Sequence, residues 1–277
     1  MNLLVEPIVR AALLEDMGRA GDITTDAIVP AGATTYAVIR ARKPGRICGL
    51  ECATIAFHLV DATIDVRLKA QDGDDVGAGQ DLATLRGSAR AILSAERTAL
   101  NFLCRLSGIA TATNRFVRAI EGAKAKIIDT RKTTPGLRIL EKHAVRVGGG
   151  MNHRFGLDDA VLIKDNHVAF AGGIRPAVEA VRRSVGHLVK IEVEVDDLKQ
   201  LAECLELGVE VILLDNFSTE KMWEAVETTA GRAILESSGR VTDDNVRAIA
   251  ETGVDLISSG WITHSAPALD IGLDFLD

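Results

Sequence analysis

Residues 129–167 gather Arg131, Lys132, Arg138, Lys142, Arg146, Arg154 and Lys164 with His143, His153 and His167, in a chain whose formal net charge is -7. Each cluster follows a short β-like run, IIDT at 127–130 or AVLI at 160–163. Guanidinium forks bind carboxylates in bidentate fashion, and lysine brings a compact charge to carboxylate or phosphate. Donors collected beside strand ends therefore suit a pocket for a multiply charged anion. Later strand ends extend the pattern: Lys164-Asp165-Asn166-His167, Glu192-Val193-Glu194, Asp215-Asn216, Ser237-Ser238-Gly239 and Ser258-Ser259-Gly260. Early ends are cationic, middle ends acidic, and the last two repeat Ser-Ser-Gly. Glu194 and Asp215 on adjacent strands can share a Mg²⁺ ion through oxygen ligands and waters. Glycine after serine lets backbone N–H groups approach a phosphate. The set suits a phosphorylated substrate with Mg²⁺ beside a second substrate bearing carboxylates. Within the Glu192-Val193-Glu194 run, we expect only one carboxylate to face the interior.

These strand ends need a scaffold. From about residue 125, apolar runs (AKIIDT, AVLIK, VKIEVEV, VEVILLDN, RAILESSG, DLISSG) alternate with helical patterns such as IRPAVEAVRRSV, DLKQLAECLEL, TEKMWEAVETTA and DDNVRAIAET. Such alternation predicts a parallel sheet buried on both faces. Six strands and no Gly-x-Gly-x-x-Gly fingerprint predict an incomplete parallel β/α barrel, whose chemistry sits at the C-terminal strand ends. Upstream, residues 3–17 place Leu3, Leu4, Ile8, Ala12 and Leu13 near helical spacing, and GDITTDAIVPAGATT reads as turns and loop. A strand with a turn at Pro44-Gly45, a helix in ECATIAFHLV, and short strands in IDVRLKA and DLATLRGSA make an α+β domain ending near residue 90. A long amphipathic helix follows from residue 89, with Ile92, Leu93, Leu100, Leu103 and Leu106 as its stripe and Gly108 marking a break or a close helix contact.

At 277 residues, 47% hydrophobic and 26% charged, the composition is that of a globular protein with a sizeable core. The acidic balance and interrupted basic stretch argue against nucleic acid as partner. Cys48, Cys52, Cys104 and Cys204 follow no metal-finger spacing and read as buried reduced thiols. The N-terminus lacks a basic n-region and no run is long enough to span a bilayer, so a cytoplasmic protein without membrane attachment is expected. A plainer alternative for the cations is a structural ion-pair network joining Arg131, Lys132 and Lys164 to Glu192, Glu194 and Asp215. His58, His143 and His187 read as surface or helix residues, and His264 as either functional or capping.

With EDMGRAGDITTDAI, SAERTALNFLCRLSGIAT, DTRKTTPGLRILEKHAVRVGGGMNHRFGLDDAVLIKDNH, VEVILLDNF and THSAPALDIGLDF, the chain resembles the quinolinate phosphoribosyltransferases over nearly its full length. The resemblance implies an N-terminal α/β sandwich domain at 1–110, joined by the tail 266–277, and an open barrel at 111–265. It implies transfer of phosphoribosyl from phosphoribosyl pyrophosphate to quinolinate with Mg²⁺ and decarboxylation, giving nicotinate mononucleotide. It also implies a homodimer in which Arg97 of a partner completes the site. Carried over residue by residue, Arg131, His153, Arg154 and Lys164 would surround the quinolinate carboxylates. Lys132 and His264 would contact phosphoribosyl pyrophosphate, Glu194 and Asp215 would serve the ribose hydroxyls and metal, and Ser238, Gly239 and Gly260 would hold the 5′-phosphate. Lys132, Lys164, Glu194 and Asp215 would take part in catalysis. Arg240 and Trp261 depart from the family pattern beside the phosphate cradle. Competing readings are a molybdenum-transport-associated homologue of the same fold, a Schiff-base aldolase using Lys132 or Lys164, and a non-catalytic binding protein.

Overall fold

The alternating runs TTYAVIRA and DLATLRGS pair as the middle of an antiparallel sheet in the computed structural model, which describes residues 2–276. In chain order the strands are β1 (Thr34–Ala41), β2 (Gly45–Arg46), β3 (Asp65–Leu68), β4 (Asp75–Val76), β5 (Asp81–Ser88) and β6 (Lys126–Ile128). There follow β7 (Val161–Ile163), β8 (Ile191–Val195), β9 (Val211–Asp215), β10 (Ile234–Ser238), β11 (Leu256–Ser258) and β12 (Ile271–Leu276). The chain divides into two units. One comprises Met1–Asn114, Thr134–Gly149 and Ala266–Asp277, the other Arg115–Thr133 and Gly150–Ser265.

In the first unit the sheet runs β12-β1-β5-β3, so the C-terminal strand closes an edge of a sheet begun at residue 34. Asp274 on β12 receives the guanidinium groups of Arg40 and Arg42, and Arg40 also reaches Asp81 at 2.8 Å. The opening helix, Asn2–Met17, buries Val5, Val9 and Leu13, while Leu3 and Leu4 are exposed. Residues four apart share a helical face, so the buried stripe is 5/9/13, of which Leu13 was expected and Val5 and Val9 were not. A helix at Ile23–Ile28, where loop was expected, starts because the Asp22 carboxylate accepts the Thr25 N–H at 2.9 Å.

The long helix, Ala89–Ala119, runs unbroken through Gly108. That glycine is needed for a close approach, since a Cβ there would lie 2.2 Å from the Pro267 carbonyl oxygen. The neighbour is the returning chain rather than another helix. Thr134–Gly149 also belongs to this unit, whereas sequence continuity ran the barrel from 111 to 265. Glu141, fully buried on the helix Arg138–Val147, explains the placement. Its carboxylate accepts from Arg105 Nη2 at 2.9 Å and from the Thr134 N–H at 3.0 Å.

The second unit is the expected β/α barrel, with its six strands in the expected apolar runs. They are parallel, in the order β6-β11-β10-β9-β8-β7. β6 and β7 end the order, and the isolated parallel bridge Ile128–Met151 lies beside β6 where closure would occur. Val193, Ile212, Leu214, Leu235 and Ile257, on the face turned to the helices, are essentially inaccessible to solvent. The alternate positions face inward, because side chains two apart on a strand share a face. No helix among the described residues is long and apolar enough to cross a membrane.

Candidate functional site

Inward-facing residues near the C-terminal strand ends line a cavity of about 230 Å³. Arg131, Lys132, His153, Arg154, Lys164, Glu194, Asp215 and Ser238 all contribute, with Thr130, Leu162, Leu213, Glu236 and Ser258. Of the residues singled out from sequence, Arg97, Gly239, Gly260 and His264 are not among those lining it, nor are Arg138, Lys142, His143, Arg146 and His167 of the basic stretch. Arg97 is exposed on the long helix of the first unit. His264 is exposed at the end of the helix Trp261–His264, with its Nδ1 2.5 Å from Ser265 Oγ.

The cationic wall is built by a buried anchor. Asp129, just beyond β6 and fully buried, accepts the His153 N–H at 2.9 Å and the Asn152 side-chain amide at 2.5 Å. This fixes the loop that presents His153 and Arg154. Arg154 Nη1 donates to the Ala160 carbonyl at 3.0 Å. Burial and the neighbouring Arg131 guanidinium pull Arg154 below its ordinary pKa. Lys132 is set by its N–H donating to Thr130 Oγ1 at 3.0 Å and by Thr263 Oγ1 donating to its carbonyl at 2.8 Å.

On the opposite strands, Lys164 Nζ donates to Glu194 Oε2 at 2.5 Å, and Asn216 Nδ2 donates to Asp215 Oδ2 at 2.7 Å. Of the structural ion-pair network considered from sequence, the Lys164–Glu194 pair forms. Glu192 turns instead to His153 Nε2, at 2.9 Å. Both Glu192 and Glu194 therefore serve the interior, contrary to the expectation of one. They lie two apart on β8, which puts them on one face.

Glu236 was not foreseen. It lies on β10 two residues before Ser238 and shares that residue's inward face. Its side chain is 2% exposed, and Oε2 lies 3.6 Å from His153 Nε2. Burial, reinforced by the charge of Glu192, pushes its carboxyl well above the usual carboxylate range. The i, i+2 spacing to Ser238 was the available signal.

Two glycines leave room beside this wall. A Cβ on Gly239 would fall 2.2 Å from Asn216 Oδ1, in a backbone at φ +105° that disfavours other residues. A Cβ on Gly260 would meet Lys132 Cδ at 2.8 Å. Of the departures flanking them, Arg240 is exposed with φ +44°. Trp261 stacks on Phe116 with centroids 5.8 Å apart, and Arg115 lies over its ring while pairing with Asp243 at 2.5 Å.

The first unit holds two further candidates. A larger cavity of about 480 Å³ is lined by Thr98, Phe102, Arg105 and Leu140 among others. Its Arg105 is already committed to Glu141, whereas the barrel cavity concentrates cations and carboxylates at strand ends. Cys48, Asp72 and His143 also approach one another. There Asp72 accepts the N–H groups of Gly49 and Leu50, capping the helix Leu50–Val60, and burial pushes the Cys48 thiol up. The four cysteines are free, and Cys104 is only partly buried.

Residues 22–107 match the family model of the quinolinate phosphoribosyl transferase N-terminal domain, and residues 109–274 that of the C-terminal domain. A nicotinate-nucleotide pyrophosphorylase (carboxylating) of Mycobacterium leprae is 48% identical, over 96% of this chain and 95% of its own. A solved nicotinate-nucleotide pyrophosphorylase from Francisella tularensis superposes with a TM-score of 0.95 at 40% identity, covering 100% of this chain and 97% of its own. One from Ehrlichia chaffeensis gives 0.94 at 41%, covering 98% of each chain. With both domain models matched and such identity over nearly the whole length, the chain belongs to the quinolinate phosphoribosyl transferase family.

Proposed function

We propose that the barrel cavity transfers phosphoribosyl from phosphoribosyl pyrophosphate to quinolinate and releases one ring carboxylate as CO₂. The products are nicotinate mononucleotide and pyrophosphate, and the step belongs to NAD biosynthesis. The observation that carries this reading is the convergence of Arg131, His153, Arg154 and Lys164 in a single cavity that also holds Glu194 and Asp215. A flat dicarboxylate suits the first group and a ribose with its metal the second. The four free cysteines support a reducing compartment, and we place the reaction in the cytoplasm.

Arg131 and Arg154 hold the two ring carboxylates, so the pyridine nitrogen is oriented toward the anomeric carbon. As that nitrogen attacks, the carbon–oxygen bond breaks and its electrons leave with pyrophosphate. Lys132, oriented by Thr130 and Thr263, stabilises the charge that develops there. Glu194 and Asp215 are oxygen donors of the kind Mg²⁺ takes alongside substrate phosphates and water, and they would hold that ion. When bound, it supplies neutralisation of the pyrophosphate charge. The cationic wall offsets the repulsion between two polyanions while fixing their orientation. The ribosylated ring is cationic and accepts the electron pair left as CO₂ departs. Lys164 bonded to Glu194 is suited to charge recognition and speaks against a Schiff base. Exposed Arg97 is assigned to the cavity of a second copy in a homodimer.

The decisive assay supplies quinolinate, phosphoribosyl pyrophosphate and Mg²⁺ and monitors nicotinate mononucleotide and CO₂, with nicotinate as the control. Formation from quinolinate alone is expected. Turnover of nicotinate but not quinolinate would sink the reading.

A further inference from the structure

Loss of CO₂ leaves an electron pair on the ring carbon beside the ribosylated nitrogen, and a proton must fill it. We propose that the carboxyl group of Glu236 delivers that proton. The inference rests on the function proposed above and assigns a step that the residues of the cationic wall leave unfilled.

The wall offers few donors. Arginine does not give up its proton in proteins, which removes Arg131 and Arg154. Lys164 is engaged by Glu194. His153 is committed at both nitrogens. The Arg154 N–H donates to Nδ1 at 2.7 Å, so the ring hydrogen sits on Nε2 and points at Glu192 Oε2, 2.9 Å away. Lys132, assigned above to the developing pyrophosphate charge, has its Cδ 2.8 Å from where a Gly260 Cβ would stand, beside the phosphate cradle.

Glu236 differs from all of these. It lines the cavity, yet its side chain is 2% exposed and a carboxylate oxygen lies within 4.8 Å of one of Glu192, itself 9% exposed. A carboxyl group buried this deeply beside a second one retains its proton. Burial of Glu236 and the nearby charges of Glu192 and Asp129 leave that proton on Glu236. His153 Nε2 donates to Glu192 Oε2 at 2.9 Å and stands farther, 3.6 Å, from Glu236 Oε2. A carboxyl group that keeps its proton thus lines the same cavity as the cationic wall.

The step balances. The bond from ring carbon to carboxylate breaks as the Glu236 proton moves onto that carbon, its electron pair becoming the new C–H bond, so CO₂ is lost irreversibly only when the proton arrives. Glu236 is left as a carboxylate beside Glu192. Repulsion between the two favours recovery of a proton from solvent as product departs.

The test is single turnover of Glu236→Gln with quinolinate labelled in the departing carboxylate, timing pyrophosphate and CO₂ separately. The amide keeps the shape but is no acid. Pyrophosphate should appear within a few-fold of the wild-type rate. CO₂ should slow by about 100-fold, the low end for general acid catalysis, and a nucleotide still carrying both carboxylates should accumulate. Glu236→Asp, which keeps an acid but withdraws it, should give a smaller lag and serves as the test should the amide variant not fold. CO₂ keeping pace with pyrophosphate in whichever variant folds would overturn the assignment while leaving the parent reaction standing. Absence of both products from the wild type would overturn the parent reading itself.

Discussion

Arg154 shows how one side chain is prepared for a dianion. Its loop is tied down by Asp129, its Nη1 is committed to the Ala160 carbonyl, and burial with the adjacent Arg131 makes its charge costly without a partner. A bound carboxylate relieves that cost. Hydrogen bonds to charged groups contribute about 1.5–3 kcal/mol each, and about 1.4 kcal/mol is tenfold in affinity. Arg131→Ala and Arg154→Ala should each raise the KM for quinolinate by roughly 10- to 100-fold, with the KM for phosphoribosyl pyrophosphate moving much less. Arg154→Lys should recover little, because an ammonium cannot reproduce the fork. Steady-state kinetics varying one substrate at a time decide this, and unchanged quinolinate saturation in both alanine variants would refute the assignment.

Among the elements, the long helix and the returning C-terminal segment meet at Gly108. Alanine is the better helix former by about 1 kcal/mol, which alone predicts stabilisation by Gly108→Ala. Forcing extra volume into a packed contact costs about 1–3 kcal/mol. Here the added Cβ would lie 2.2 Å from a backbone carbonyl oxygen, which cannot swing aside as a side chain would. Overpacking wins, and Tm should fall by roughly 1–4 °C in calorimetry, whereas a rise would show that the segment yields. Gly108 also marks where sequence stopped being informative. Its presence in a helical run was visible, but its neighbour Pro267 lies far along the chain. The same holds for Glu141, whose partner Arg105 placed Thr134–Gly149 in the first unit. The barrel strands were legible because near-continuous Val, Ile and Leu runs that end in polar residues suit little besides parallel strands buried on both faces. The short helix Ile23–Ile28 was not, because its Asp22 cap resembles a turn signal.

Across the whole molecule, the charge segregation noticed first in the sequence acquires a physical role. Arg131, Lys132, His153, Arg154 and Lys164 converged because consecutive β/α units deliver their strand ends to one cavity, whereas Arg138, Lys142, His143 and Arg146 went with the first unit. Glu236 escaped notice because its neighbours read as a Ser-Ser-Gly turn, although strand alternation puts it on the same inward face. A chain of formal net charge -7 repels two anionic substrates at long range, while the cationic wall attracts them locally. These effects respond differently to salt. The Debye length is about 30 Å at 0.01 M and about 10 Å at 0.1 M. The long-range repulsion should therefore be largely screened at low salt, leaving the local attraction to weaken as salt rises further. With phosphoribosyl pyrophosphate and Mg²⁺ saturating, kcat/KM for quinolinate should fall several-fold as KCl is raised from about 0.05 to about 0.5 M, with kcat changing far less. Arg154→Ala should show a shallower dependence because one of the attracting charges is gone. A wild-type kcat/KM that rises with salt would mean that the net negative charge governs encounter, and that the cationic wall acts only after the substrate has arrived.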